Sequence, residues 1–163
     1  MGRVIVLEPP LDELSRQATP YPAFLLDSAE TGLCLFAAGF LGINDAIHMA
    51  RNDLTVTCVD VDAYKLEQMA AVYPVWWEFY TADAWDYAKA AEGRRQKWDV
   101  VSVDTFLGDA TKKSLSSLDL WCSIANKAVT ATVKDADPEI PEGWQAEKFP
   151  RGYRADWLVL TRA

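Results

Sequence analysis

Residues 32–62 read GLCLFAAGFLGINDAIHMARNDLTVTCVDVD, and the order of patterns in them decides the fold. Between Gly32 and Gly39 lies the apolar run LCLFAA, short enough for a buried strand, with Gly39 and Gly42 behind it. Ile43–Arg51 then repeats apolar residues at helical spacing, and Leu54–Val59 is a β-branched run that ends on Asp60-Val61-Asp62. Strand, helix and strand, with strands apolar throughout rather than alternating, describe a parallel unit buried on both faces.

The same unit recurs downstream. Helical Ala63–Val72 leads to Phe79-Tyr80-Thr81, and helical Trp85–Glu92 follows Asp83. Asp99–Val103 is another buried strand, and a helix across Thr111–Ala125 precedes the strand Ala128–Val133. Strand–helix alternation of this kind predicts an open, mostly parallel α/β sheet with helices on both faces. The end of the chain differs. Trp144–Phe149 and Ala155–Thr161 flank the turn-like Pro150-Arg151-Gly152-Tyr153, which predicts a C-terminal antiparallel hairpin on the sheet edge. Asp135–Glu142 is a polar, proline-broken loop that reads as solvated. Residues 1–31 are irregular: Pro9, Pro10, Pro20 and Pro22 leave one short helix candidate, Leu11–Gln17. No repeat and no Gly/Ser-rich linker divides residues 1–163, so one domain is expected, with 32–134 as its core and 144–163 as its hairpin.

Composition narrows the function classes. The chain has 163 residues, 16 Lys+Arg against 24 Asp+Glu, and a formal net charge of −8. That excess of acid opposes a broad phosphate-binding surface and favours a small-molecule or protein substrate over nucleic acid. Cys34, Cys58 and Cys122 lack metal-ligand spacing, and Cys34 and Cys58 sit in apolar runs, which fits reduced thiols of a cytoplasmic protein. The N-terminus lacks a secretory apolar region, and the longest apolar stretch, near Leu33–Ile43, falls short of the roughly 20 residues that span a bilayer. The expectation is therefore a cytoplasmic protein without membrane contact. His48 is the single histidine, so no multi-histidine metal site exists and a Ser–His–Asp triad would rest on it alone. No metal is expected, and His48 reads as a structural or surface residue.

Ligands of open α/β sheets bind outside the carboxyl ends of the strands. Those ends carry Ala37-Ala38-Gly39-Phe40-Leu41-Gly42, then Asp60-Val61-Asp62, then Asp83-Ala84-Trp85, then Asp104 with Asp109 beyond it. Each Asp alone is equally well explained as a helix N-cap. Together with the glycines they have distinct ligand-binding uses. Gly39 and Gly42 permit close backbone approach beside the positive end of a helix. Asp60 lies 21 residues after Gly39, the spacing of an acid that accepts from ribose hydroxyls. Asp83 suits an exocyclic amine, and Ala84 and Trp85 suit the face of an adenine. These residues specify a nucleoside-shaped pocket. Elsewhere, the aromatic run Val75–Tyr80 reads as core and strand-edge packing and Gly93–Lys97 as a solvated basic loop. Arg151, Arg154 and Arg162 make the hairpin locally basic, which suits an anionic partner.

The strings LCLFAAGFLG, VTCVDVD, YTADAWDYA and WDVVSVDTFLGD resemble the successive motifs of class I S-adenosylmethionine-dependent methyltransferases. The resemblance covers roughly residues 32–134 and the terminal ADWLVLTR strand. It implies a Rossmann-like fold and S-adenosylmethionine as cofactor. It implies that Gly39 with Phe40 and Gly42 contacts the methionine part, Asp60 with Val61 the ribose side, and Asp83 with Ala84 and Trp85 the adenine. Asp104 would then stand beside the methyl group and orient or deprotonate an amine or hydroxyl substrate, under a lid formed by the segment containing Tyr21. The sequence departs from the family at Ala37, where an acid is usual, and at Leu41 and Ile43, where glycines are usual. Those departures suit an alternative, a non-catalytic Rossmann-like module that binds a nucleoside or a protein. The segment DTFLGD is also similar to the strand-four region of spermidine synthases, and so to an aminopropyl transferase.

Overall fold

The computed structural model describes residues 23–105, 109–152 and 155–163. The helix candidate at 11–17, Tyr21 of the expected lid, and Arg154 lie outside them. A short 3-10 turn, Ala23–Leu25, precedes a regular alternation. It runs β1 (Thr31–Leu35), α1 (Phe40–Arg51), β2 (Thr55–Asp60), α2 (Ala63–Ala70), β3 (Glu78–Thr81), α3 (Ala84–Gly93) and β4 (Trp98–Val103). Then follow α4 (Asp109–Leu115), α5 (Leu118–Ser123), β5 (Ala125–Val133), β6 (Trp144–Gly152) and β7 (Ala155–Arg162).

The strands form one seven-stranded sheet in the order β3-β2-β1-β4-β5-β7-β6. Its first five members are parallel neighbours, while β7 runs antiparallel to both β5 and β6. The α/β sheet with helices on both faces and a C-terminal hairpin is therefore present as expected.

Side chains alternate between two apolar layers, as the pleat requires. Cys34, Val56, Cys58 and Val100 join α1 and α2 in one layer through Ala46, Ile47, Met49, Leu66 and Met69. Leu33, Leu35, Val59, Val101 and Val103 join the other helices through Ala84, Ala88, Leu118 and Trp121. Burial on both faces is why the strands carry unbroken apolar runs. The Val75–Tyr80 run divides: Trp77 is buried and stacks on Tyr73 with ring centroids 4.5 Å apart, whereas Val75 and Trp76 are exposed. No helix among the described residues is long and apolar enough to cross a membrane.

Two departures from the sequence pattern have local causes. The helix expected across 111–125 is broken, because the Ser116 and Ser117 hydroxyls fold back to donate to the Lys113 carbonyl, each at 2.8 Å. Serines that compete in this way for backbone groups end helices. In β6 the register shifts between Pro150 and Gly152, so Arg151 occupies a bulge. A bulge re-aims its side chain, and here it turns Arg151 into the protein.

Register sets the level of the strand ends. Leu35 pairs with both Val59 and Val103, so the residues that follow (Phe36, Asp60 and Asp104) leave the sheet side by side. Close packing beneath them depends on Gly32, where an added Cβ would lie 2.5 Å from Met49 Sδ. Replacing Gly32 with Ala is expected to destabilise the fold by about 1–3 kcal/mol, the range for overpacking a filled core. Urea unfolding of the variant measures it, and an unchanged midpoint would show that Met49 yields freely.

Candidate functional site

The turn after β1 is built from backbone and one carboxylate. Ala37 N donates to Val59 O at 3.1 Å, and Gly39 N donates to Phe36 O at 3.1 Å. Asp60 holds the turn from the neighbouring strand: its Oδ2 accepts from Ala38 N at 3.0 Å and its Oδ1 from Asp62 N at 2.9 Å. Its carbonyl accepts from Ala82 N at 3.0 Å, which brings the exit of β3 to the same edge. Asp60 thus ties three strand ends together. The expected ribose ligand thus serves the turn, not a helix, as an acceptor.

Left-handed backbone in this turn falls on Phe36, at φ 61°, and not on a glycine. A non-glycine residue there carries steric strain, which the packing around it must offset. The Phe36 ring meets the Trp85 ring edge-on at 5.4 Å. Gly39 has φ −72° and ψ 157°, extended backbone open to any residue. A Cβ on it would come within 3.3 Å of Phe36 O, so Gly39 is suited to close approach. Gly39 is also the N-cap of α1, and no side chain caps that helix. The first turn of α1, from Phe40 onward, therefore begins at the carboxyl edge with no side chain on its N-cap residue to accept from it. Such a terminus carries partial positive charge.

Two of the other strand-end acids, Asp62 and Asp83, are helix caps. Asp62 Oδ1 accepts from Lys65 N at 3.1 Å, and Asp83 Oδ1 accepts from Asp86 N at 3.0 Å. Val61, between Asp60 and Asp62, is 70% exposed and presents an apolar surface beside the carboxylate. Ala84 is buried in the layer beneath α3. Trp85 is engaged on several sides: its ring lies 5.7 Å from Trp121, the Lys113 ammonium stands 3.9 Å from its centroid, and its indole N–H donates to Ser117 Oγ at 2.9 Å. Ala84 and Trp85 therefore form the floor behind Asp83, leaving Val61 as the exposed apolar group.

Asp104 stands at the end of β4 but is only 1% exposed. Its Oδ1 accepts from Arg151 Nη1 and from the Thr132 hydroxyl. The expected substrate-facing carboxyl is thus turned inward and bonded to protein. Arg151 is itself 3% exposed, so the hairpin is not basic at that position. Its guanidinium lies 3.5 Å from the centroid of the Trp157 ring, and Nη2 stands 3.7 Å from Oδ1 of Asp45. Asp45, on α1, is fully buried and accepts from the Ser102 hydroxyl. Burial pushes its carboxyl well above the usual range, the neighbouring Asp104 pushes it further, and Arg151 opposes both. Sequence reasoning missed Asp45 and the inward role of Arg151. The one signal was an acid inside the apolar stripe of INDAIHMAR. A separate groove of about 570 Å³, between α4, α5 and the connection 134–143, shares no residue with this edge.

No family model matches the sequence, and no curated protein matches it significantly. Solved structures do match the fold. A protein of Streptococcus mutans, provisionally assigned as a SAM-dependent methyltransferase, superposes with a TM-score of 0.66 at 13% identity over 85% of this chain and 46% of its own length. The chain therefore spans less than half of that protein. The Escherichia coli protein yhhF, also provisionally assigned as a methyltransferase, gives 0.65 at 13% identity over 93% of this chain and 88% of its own. Magnesium protoporphyrin IX methyltransferase of Synechocystis, solved with bound SAM, gives 0.55 at 14% identity over 94% and 79%. The fold is that of the class I S-adenosylmethionine-dependent methyltransferases.

The turn's strain can be isolated. Phe36→Ala and Phe36→Gly both lose the ring contact with Trp85, but only glycine relaxes the left-handed backbone. The glycine variant is expected to be more stable than the alanine variant by about 1 kcal/mol, by thermal or urea unfolding. Equal stabilities would show that Phe36 carries no strain.

Proposed function

We propose that this chain binds S-adenosylmethionine at the carboxyl edge of β1–β3 and transfers its methyl group to a small-molecule or protein substrate. The observation that supports this most is Asp60, whose half-buried carboxylate joins the β1 turn, β2 and the exit of β3 at one point. The residues present suit the cofactor. Each Asp60 oxygen takes one backbone N–H, and a carboxylate oxygen has capacity for two donors, so Asp60 would hold the ribose hydroxyls. Val61 offers apolar surface to the adenine, with Ala84 and Trp85 shaping the floor, and Asp83 offers an acceptor for its amine. Gly39 and the first-turn backbone at Phe40 and Gly42 would face the methionine portion.

The bound cofactor supplies an electrophilic methyl group on a cationic sulfonium. The chain's own part is alignment, which is most of what methyl transfer needs. Asp104 contributes as an anchor for Arg151 and not as a base, because its oxygens are inside the protein. An amine that arrives unprotonated attacks without a base, and the proton it sheds after methylation passes to solvent. The free, buried thiols of Cys34, Cys58 and Cys122 support a reducing, cytoplasmic setting. The burial of Asp104 also favours a second reading, a module that binds the cofactor and transfers nothing.

Calorimetry with S-adenosylmethionine and with its demethylated product is expected to give micromolar dissociation constants. No heat and no thermal shift with either would overturn the assignment. Asp60→Ala is expected to weaken binding by about 1–3 kcal/mol through loss of charge-assisted hydrogen bonds, and unchanged affinity would remove Asp60 from the site. Methyl-labelled cofactor supplied with small-molecule and protein fractions separates the two readings: label moves to a fraction in the first and stays on the cofactor in the second.

A further inference from the structure

We propose that Asp45, Asp104 and Arg151 form a proton-sharing clamp behind the β1 turn, in which Asp45 holds the proton and Arg151 positions α1 for the cofactor. The three side chains come from α1, the residue that follows β4 and the bulge of β6, and all are buried. The positioning role rests on the cofactor reading; the shared proton does not.

Geometry distinguishes the two acids. Asp104 receives the Arg151 Nη1 donor and the Thr132 hydroxyl, the partners that suit a charged carboxylate. Asp45 receives a neutral hydroxyl from Ser102, and the nearest guanidinium nitrogen stands 3.7 Å away, beyond a hydrogen bond. Treated as ionised acceptors, Asp45 Oδ1 and Asp104 Oδ2 are both buried and find no donor among the described residues. Both carboxyls lie against the same guanidinium, Asp104 Oδ1 on Nη1 and Asp45 Oδ1 3.7 Å from Nη2, and the neighbouring Asp104 raises the Asp45 carboxyl. One proton on Asp45 turns an orphaned acceptor into a donor and serves the whole cluster. It also balances charge: two carboxylates against one guanidinium would leave a net negative charge sealed from water, which is costly.

Other groups facing Asp45 do not supply that balance. Cys34 of β1 is kept protonated by its contact with Cys58 of β2 and by burial, so it brings no charge. Ser102 of β4 and Thr132 of β5 are neutral, and His48, one turn along α1, is only half-buried and has an interaction of its own. The clamp therefore depends on Asp104 and Arg151.

The sign of the pH effect follows. An unfolded Asp titrates near about pH 4, and folded Asp45 titrates above that. Its protonated form thus adds stability that is complete below about pH 4 and is lost as pH rises through the folded value.

The test compares wild type with Asp45→Asn, Arg151→Met and Arg151→Lys in the full chain. Infrared spectra at pH 7.5 are expected to show a protonated carboxylic-acid carbonyl band in the wild type that Asp45→Asn removes. The unfolding constant of wild type relative to Asp45→Asn is expected to rise with pH above about 4, by up to about tenfold per unit. A wild type without the acid band, or a pH-independent ratio, overturns the shared proton. For positioning, Arg151→Met is expected to weaken binding of the demethylated cofactor about tenfold or more, with part recovered in Arg151→Lys. Undiminished affinity in a folded Arg151→Met overturns it. Where the Met variant does not fold, Arg151→Lys carries this arm: affinity below wild type supports positioning and affinity equal to it overturns it. Should wild type bind no cofactor at any pH, the cofactor reading and the positioning role fall together, while the infrared band and the stability ratio still decide the proton.

Discussion

Burying a guanidinium commits everything around it. Arg151 enters the protein from a strand bulge and lies over the Trp157 ring, where an uncompensated charge would cost several kcal/mol. Its partners must therefore sit on elements held in register with β6, and they do. Thr132 pairs with Trp157 across β5 and β7, and Asp104 ends the strand beside β5. Asp45 projects from α1, whose N-terminus opens onto the carboxyl edge of the sheet. One side chain thereby links the C-terminal hairpin to the helix that begins at the glycine turn, across four strands of the sheet. Removing it would disturb the edge as well as the core.

The turn after β1 shows how a sheet of this kind can dispense with most of a glycine-rich loop. Glycines in such a loop supply left-handed backbone and allow close approach. Here Phe36 takes the left-handed position, with its ring against Trp85, and Gly39 supplies only the close approach. The shape that further glycines would otherwise permit is fixed from outside, by the Asp60 carboxylate on Ala38 N and by the Val59 carbonyl on Ala37 N. An acid at position 37 would be buried between these strands, where Ala37 has no exposure. The departure at Ala37 is thus compatible with this turn.

What was legible in the sequence follows from where each signal comes from. Apolar runs report burial on two faces, so the strands and their parallel order could be read directly. The Pro150–Gly152 stretch reported a reversal, and the hairpin is there. Helix ends were read less well, because the break at Ser116 and Ser117 depends on which way two hydroxyls turn. Asp60 was legible by its spacing from Gly39. The inward pairing of Asp104, Arg151 and Asp45 was not, since Arg151 reaches back 47 positions to Asp104 and 106 to Asp45 through a bulge that no local pattern announces. An arginine beside a turn reads as a surface charge until the register places it.

The acids at the strand ends also divide differently from the way their positions suggest. Cap and ligand are not exclusive uses, because a carboxylate has two oxygens: Asp62 and Asp83 each spend one on a helix terminus. Asp104 is withdrawn altogether, and with one proton on Asp45 the buried cluster is electrically neutral. The negative field at the edge then comes from Asp60, Asp62 and Asp83, all near solvent and screened by salt. Such a field favours a cationic or hydroxyl-bearing ligand only modestly. On the proposed reading, selectivity would rest instead on directed hydrogen bonds at Asp60 and on the close backbone approach at Gly39, which salt does not weaken. The chain's net charge of −8 is, in this light, mainly a property of its solvated surface.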